Sequence, residues 1–149
     1  MFKNIRQGGI LLCDKNEKYF LLGKDSKTGL YSDFGGVIEK NEKMIDGIVR
    51  EFMEETMGSI MTEKEIRRKL KSSDYFINKK NKYICFIVHI KLNNIIPKIY
   101  NRMFYYINKC KCGKGLLEKS KLLWLSKKYI LTFRKKFRRA FMNTFTNLY

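Results

Sequence analysis

The residues from Gly35 to Gly58 (GGVIEKNEKMIDGIVREFMEETMG) constrain the fold of this chain more than any other stretch. Two adjacent glycines end a short apolar run, and helical spacing of apolar residues then predicts a helix from about residue 43 to residue 57. At about 100° per residue, Glu51, Glu54 and Glu55 fall within about a third of the helix circumference. The opposite face carries Ile45, Val49, Phe52, Met53 and Thr56. The pattern predicts a helix that packs inward on one side and crowds three carboxylates on the other.

The crowded carboxylates are a metal-site candidate. Like charges three and four residues apart destabilise an isolated helix, and a cation bound between them removes that repulsion. Clustered carboxylate oxygens suit hard cations such as Mg²⁺ or Mn²⁺. A solvated acidic helix face is the alternative interpretation of the three glutamates alone.

The same stretch resembles the signature of the Nudix hydrolase family, G-x5-E-x7-R-E-U-x-E-E-x-G-U, in which U is apolar. The positions that match are Gly36, Glu42, Arg50, Glu51, Phe52, Glu54 and Glu55. One position departs from the signature, because the last family glycine would fall at Met57 and the chain has glycine at Gly58. We interpret this departure as a one-residue shift of the helix end.

The resemblance implies a Nudix α/β/α sandwich with a mixed sheet, formed by residues 1–149 as one domain. Strand-like stretches lie at 8–14, 19–23, 33–38, 74–77, 82–92 and 122–126. Apolar residues at helical spacing near the end of the chain predict an amphipathic helix over about 127–147. Its polar face is basic, which indicates a polyanion contact or a solvated surface.

The resemblance also implies roles for individual residues. Glu51, Glu54 and Glu55 are the expected ligands of Mg²⁺ or Mn²⁺, and the backbone carbonyl of Gly35 is an expected further ligand. Arg50 can pair with the carboxylates and hold their orientation. Glu42 is expected to orient the site near the start of the helix.

The expected catalytic base is either a motif glutamate or an acid on a later loop. Glu118 is the only acid after Asp74, and it precedes the last predicted strand, which makes it the later candidate. Lys111 and Lys114 are candidate phosphate contacts. Two aromatic residues, Tyr31 and Phe34, are candidates for stacking on a nucleobase.

The net charge of +18 is distributed unevenly. Residues 1–60 hold nine Lys and Arg against ten Asp and Glu, whereas residues 61–149 hold 23 Lys and Arg against four Asp and Glu. A strongly basic half attracts polyanions and speeds their encounter. A bias of the genome towards A and T also enriches lysine, but it does not remove acids from one half of a chain.

Three functions fit these observations. The first is a decapping-type enzyme that cuts the diphosphate linkage of capped RNA and contacts the RNA through the basic C-terminal half. The second is a small-substrate pyrophosphatase acting on nucleoside triphosphates, dinucleoside polyphosphates, ADP-ribose or diphosphoinositol polyphosphates. The third is a non-catalytic RNA-binding module with the same fold. The sequence has no secretory leader pattern and no apolar run of membrane-spanning length, so we expect an intracellular, cytoplasmic protein.

Overall fold

The computed structural model describes residues 5–110 and 117–149. The strands in these residues are β1 (Gln7–Cys13), β2 (Tyr19–Asp25), β3 (Tyr31–Ser32), β4 (Phe34–Val37), β5 (Asp74–Asn78), β6 (Tyr83–His89) and β7 (Lys119–Ser126). The α-helices are α1 (Met44–Thr56), α2 (Glu63–Leu70), α3 (Ile95–Lys109), α4 (Lys127–Thr132) and α5 (Arg139–Leu148). None of these helices combines the length and the apolar character that crossing a bilayer requires.

The strands form a mixed sheet in which β1 is central. The order is β3-β2-β1-β6-β5, with β4 paired to β1 and β7 paired to β2. Strand β1 runs parallel to β6 and antiparallel to its other two partners. One edge of β1 is shared, because residues 7–10 pair with β4 and residues 12–13 pair with β2. This shared edge brings Gly35 and Gly36, the first residues of the Gly35–Gly58 stretch, into the middle of the sheet.

Helices cover both faces of the sheet, as the sequence predicts. Side chains alternate along β1, so Ile10 and Leu12 enter the apolar cluster that contains Phe52 of α1. Leu11 and Cys13 enter a second cluster, which contains Phe145 of α5. The α/β/α sandwich with a mixed sheet is therefore confirmed.

Helix α1 confirms the predicted helix to within one residue at each end, but its termination corrects our interpretation of the glycine. The helix ends at Thr56, and Met57 itself takes the left-handed conformation, with φ 51°. Gly58 follows with φ 62°, and its N–H donates to the Met53 carbonyl at 3.0 Å. The helix end is not shifted. A side chain at such a position costs about 1 kcal/mol, and packing of Met57 against the core offsets that cost.

The C-terminal amphipathic helix is the second correction, because the predicted continuous helix over 127–147 is broken. Phe137 is extended, with φ −118° and ψ 149°, and bridges to Tyr31 of β3. The N–H of Arg138 donates to the Tyr31 carbonyl at 2.9 Å. This pairing, together with burial of the Phe137 ring, stops α4 and lets α5 begin in a new direction. The spacing of the apolar residues over 127–147 fits one continuous helix, and it does not indicate that Phe137 pairs with Tyr31.

Candidate active site

The site is built where β4 crosses β1 and leads into α1. A Cβ atom on Gly35 would overlap the carbonyl oxygen of Gly8, so only glycine fits against β1 at this crossing. A Cβ atom on Gly36 would lie 2.5 Å from Oε2 of Glu51. The second glycine therefore leaves room for a carboxylate of α1 to lie against the β4 backbone.

Arg50 holds three glutamates together: Glu51 and Glu54 of the predicted carboxylate cluster, and Glu42 ahead of the helix. Its Nε and Nη2 donate to the two oxygens of Glu42 at 3.0 and 3.1 Å. Its Nη1 donates to Glu51 at 2.9 Å and to Glu54 at 3.3 Å. A further bond from Nη2 to the Val37 carbonyl, at 3.1 Å, ties the guanidinium to β4. The planar fork of arginine suits this arrangement, because each donor has a fixed direction.

Both oxygens of Glu42 accept hydrogen bonds from Arg50, which agrees with the orienting role that the resemblance implies; the role itself stays a prediction. A Cβ atom on Gly47 would lie 2.7 Å from Oε2 of Glu42. The glycine within α1 thus provides space for the Glu42 carboxylate. The Arg50 hydrogen bonds lower the pKa of Glu42, so the carboxyl stays ionised and the pair keeps its charge.

The Glu51 carboxylate is affected by burial and by several charged neighbours. Burial raises its pKa, Arg50 opposes that effect, and repulsion from Glu54 and Glu118 adds to the rise. Glu118, which immediately precedes β7, is thus close enough to Glu51 to act on it electrostatically. The arrangement agrees with a shared site for the late acid and the helix acids, and its role as base or ligand stays a prediction.

Glu55 does not share the exposed face with the other two glutamates. Its residue is 3% exposed, and its Oε2 accepts from the Gly35 N–H at 2.7 Å. Its Oε1 lies 3.1 Å from Nζ of Lys119. Burial raises the pKa of Glu55 to about 7, against the lowering effect of Lys119. Any metal contact of Glu55 has to use lone pairs that these two donors leave open.

Lys119 is a site residue that the sequence reasoning missed. It is 1% exposed, and its Nζ also donates to Oγ of Ser32 at 2.8 Å. The signal that could have found it lies on the partner strand, where a Cβ on Gly23 would be 2.8 Å from Cδ of Lys119. Gly23 pairs with Leu122 and not with Lys119, but its lack of a Cβ atom leaves space for the lysine stem.

A cavity of about 190 Å³ lies on the other side of the β4 glycines. Its lining includes Asp33, Tyr83, Gln7 and Arg138 together with Gly35 and Gly36. The Tyr83 hydroxyl donates to Oδ2 of Asp33 at 2.5 Å. Burial raises the pKa of Asp33, and the bond from Tyr83 and the charge of Lys119 oppose that rise. The cavity lining thus includes a carboxylate, a phenol hydroxyl and a guanidinium.

The structure gives a different outcome for each of the predicted substrate contacts. Phe34 is 0% exposed and packs edge-to-face on Phe52 with ring centroids 5.8 Å apart, so its predicted stacking on a nucleobase is wrong. Alternation along the chain points this ring into the core. The ring of Tyr31 packs on Phe137 at 6.0 Å, and its stacking role stays a prediction. Lys111 and Lys114 lie outside the described residues.

The donor set of the site suits a hard divalent cation. Glu51 offers carboxylate oxygens beside Gly36, and Glu54 offers a carboxylate bound to the same Arg50 guanidinium. Four glutamates face two cations, Arg50 and Lys119, which leaves a surplus of negative charge. All-oxygen ligand sets with surplus negative charge favour Mg²⁺ or Mn²⁺.

A second group of potential ligands does not carry a metal site. Cys13, Glu17 and His89 form the only group in residues 5–110 and 117–149 whose ligand atoms all lie within 4.8 Å of one another. Burial, with repulsion from Glu17 and Asp14, raises the pKa of Cys13 to about 12, so no thiolate is present there at neutral pH. His89 already pairs with Glu17 at 3.0 Å. Within the same described residues, no three carboxylates of α1 lie that close to one another.

Comparison with known proteins gives a fold match. No protein-family model and no curated protein matches the chain. The bifunctional NMN adenylyltransferase/ADP ribose pyrophosphatase of Francisella tularensis, solved with AMP and a manganese ion, superposes with a TM-score of 0.61 at 13% identity, covering 97% of this chain and 41% of that one. This chain thus spans less than half the length of that bifunctional protein.

Two shorter proteins match over most of their length. The Ap4A hydrolase of C. elegans gives a TM-score of 0.57 at 11% identity, covering 96% of this chain and 95% of that one. The MutT protein of Methanosarcina mazei Go1 gives 0.52 at 16% identity, covering 96% and 91%. These structures are Nudix hydrolases. The chain has the Nudix fold, which confirms the fold implied by its signature residues.

Proposed function

We propose that this chain, which combines the Nudix fold with the residues of the Nudix signature, is a divalent-metal-dependent pyrophosphohydrolase. Its substrate class is a nucleoside diphosphate linked to a further group. The observation that carries the proposal is the network in which Arg50 holds two carboxylates, that of Glu54 and that of Glu51, the second of which lies beside Gly36. Mg²⁺ or Mn²⁺ bound there neutralises phosphate charge and lowers the pKa of a bound water.

We assign a separate role to each of the other residues of the site. Glu51 and Glu54 present the accessible carboxylate oxygens, and Arg50 fixes their directions. Lys119 and the Gly35 N–H fix Glu55 behind them. Glu118, whose charge acts on Glu51, is our candidate for the base that accepts a proton from water or for an additional metal ligand.

We further propose capped RNA as the preferred substrate, cut at the diphosphate linkage of its cap. The surplus of cations in residues 61–149 favours a long polyanion as the substrate, because a small nucleotide needs only a few phosphate contacts. The exposed basic residues near the chain end, including those between α4 and α5, extend the positive surface. The intact glutamate network argues against a purely RNA-binding module.

A small-substrate pyrophosphatase is the second candidate, and a specific observation favours it. The cavity of about 190 Å³ beside the two glycines is of a size to admit part of a small ligand rather than a polymer. The F. tularensis and C. elegans neighbours are named for ADP ribose and Ap4A.

The test is a hydrolysis screen with Mg²⁺ or Mn²⁺ against capped RNA, nucleoside triphosphates, Ap4A, ADP-ribose and diphosphoinositol polyphosphates. We expect metal-dependent release of a nucleoside diphosphate from capped RNA. Glu54→Gln should abolish turnover, whereas Glu63→Gln, an exposed glutamate of α2, should leave it unchanged. Full activity of Glu54→Gln would refute the metal-site assignment, and failure on every diphosphate would favour the binding module.

Salt dependence separates the two substrate classes. Binding of capped RNA through many phosphate contacts should weaken steeply between about 50 and 200 mM salt. Binding of ADP-ribose or Ap4A should change much less. A shallow salt response together with a higher kcat/KM on a dinucleotide would replace capped RNA with the small substrate.

A further inference from the structure

The outer face of α3 exposes several large apolar and aromatic side chains to solvent. Ile95, Ile99, Tyr105 and Tyr106 are 59%, 46%, 60% and 63% exposed. They are interleaved with three exposed cations, Lys98, Arg102 and Lys109. Together these seven residues recur at three- and four-residue spacing, so they form one stripe along the helix. We call this stripe the α3 outer face.

The inner face of α3 is fixed to the candidate active site. Tyr100 is 0% exposed, and its hydroxyl donates to the backbone carbonyls of Glu55 at 3.0 Å and Lys119 at 2.6 Å. Asn101 accepts from the Leu122 N–H at 2.9 Å. These bonds set the rotation of the helix about its axis. The outer face cannot turn inward without breaking them, so its aromatic residues stay on the surface beside the site.

The composition of this face matches a single-stranded nucleic acid. Helix α3 contains no acidic residue, so nothing on it repels a phosphate chain. The rings of Tyr105 and Tyr106 lie edge-to-face with centroids 5.5 Å apart, and both are open to solvent. Cations that track a phosphate backbone, alternating with aromatic rings that stack on bases, are the usual means of binding single strands without sequence preference.

A lipid surface fits this face less well. Membrane-surface helices separate a continuous apolar face from a charged one. On α3 the cations Lys98 and Arg102 lie within the apolar stripe, and the second apolar side of the helix is already packed on the protein.

We propose that the α3 outer face binds the single-stranded RNA chain that follows the hydrolysed diphosphate linkage. The inference rests on the proposed function, because it gives capped RNA a second contact outside the metal site. It predicts that the enzyme prefers a capped polymer over a free cap dinucleotide. The base contacts are made by Tyr105 and Tyr106, and the phosphate contacts by Lys98, Arg102 and Lys109.

The test compares turnover on a capped RNA of about 20 nucleotides with turnover on the cap dinucleotide alone. The double variant Tyr105→Ala/Tyr106→Ala should lose about tenfold or more in kcat/KM on the capped RNA and keep its kcat/KM on the dinucleotide. Tyr75→Ala, an exposed aromatic residue on β5, is the matched control and should change neither value. An equal loss on both substrates would overturn the proposal, because α3 would then act only by supporting the site.

Binding is measured separately, so that failure of the α3 proposal can be told from failure of the proposed function. Fluorescence anisotropy with an uncapped labelled RNA needs no turnover. Lys98→Gln/Arg102→Gln should weaken this binding more than Lys64→Gln/Arg68→Gln, a charge-matched pair on α2. Equal weakening by the two pairs, or binding of anionic phospholipid vesicles with no binding of RNA, would overturn the proposal. Tight RNA binding at α3 without hydrolysis of any capped substrate would instead refute the proposed decapping activity and leave the α3 proposal standing.

Discussion

Nζ of Lys119 lies 3.1 Å from Oε1 of Glu55, and the two side chains are only 1% and 4% exposed. The pair joins the first residue of β7 to the last turn of α1, and Ser32 completes the contacts of the ammonium group. Two opposite charges buried together stabilise a fold only as a pair, since either one left alone keeps its full desolvation cost. The packing of the active-site helix on the sheet therefore depends on an ion pair.

Lys119→Met should lower the free energy of unfolding by about 3–5 kcal/mol, because it leaves the Glu55 carboxylate buried without its cation, with only the Gly35 N–H as a donor. Urea unfolding at neutral pH measures the change. Adding Glu55→Gln to Lys119→Met should recover part of the loss. Lys121→Met, an exposed lysine on the same strand, is the matched control and should change stability by less than about 0.5 kcal/mol. A Lys119→Met loss as small as that of the control would contradict the ion-pair interpretation.

A divalent metal should stabilise the folded chain, because a site built from Glu51 and Glu54 exists only in the folded state. At a metal concentration of about 100 times Kd, the gain is about 2.7 kcal/mol, which raises Tm by about 5 to 10 °C for a chain of this size. Thermal unfolding with and without Mn²⁺ measures the shift and needs no substrate. Glu51→Gln and Glu54→Gln should each reduce the shift strongly, and Glu63→Gln should not. An undiminished shift in both site variants would place the metal elsewhere.

Gly36→Ala should weaken metal binding without unfolding the protein. The new Cβ would lie 2.5 Å from Oε2 of Glu51, so the carboxylate has to move. Loss of such supporting geometry typically reduces metal affinity about 10- to 100-fold. Titration calorimetry with Mn²⁺ measures the affinity, and circular dichroism checks the fold. Gly47→Ala is the comparison variant, since its Cβ would displace Glu42 instead. If Gly36→Ala bound Mn²⁺ as tightly as the unmodified chain, Glu51 would not be a ligand in this position.

Asp14 should make stability depend on pH in the acid range. Its carboxylate accepts backbone N–H bonds from Asn16, Lys18 and Tyr19 at 3.3, 2.8 and 2.7 Å in the turn between β1 and β2. Although burial acts in the opposite direction, these bonds lower the pKa of Asp14 below its ordinary value. The ionised form is therefore favoured in the folded state, and its contribution is lost as pH falls through the lowered pKa.

The measurement for Asp14 is urea unfolding of the unmodified chain and of Asp14→Ala at neutral pH and near pH 3. Asp14→Ala should cost about 1–2 kcal/mol at neutral pH, since the N–H groups lose a charged acceptor. The difference between the two proteins should shrink in acid. A difference that stays constant over this range would show that the carboxylate charge does not stabilise the turn.

Prediction from the sequence succeeded where the controlling interactions are local. The bounds of α1 and the pairing of Arg50 with Glu51 and Glu54 follow from spacing on one helix, whereas the orienting role of Glu42 comes from the family resemblance and stays a prediction. Prediction failed at Phe34 because the motif does not say which side of β4 each residue faces. It failed at Met57 because a left-handed residue at the helix end costs little enough for core packing to offset it.

The sequence by itself determined the chemical character of the site: a helix whose 3.6-residue repeat gathers carboxylates and an arginine beside two glycines. Local backbone geometry sets these angular positions, so no distant contact was needed to predict them. Only the tertiary structure decided that Glu55 turns inward to Lys119, and that Phe137 leaves its helix to pair with Tyr31. Both outcomes depend on residues distant in the chain that meet only when the sheet forms, and the energies of burial and pairing there outweigh the local helical pattern.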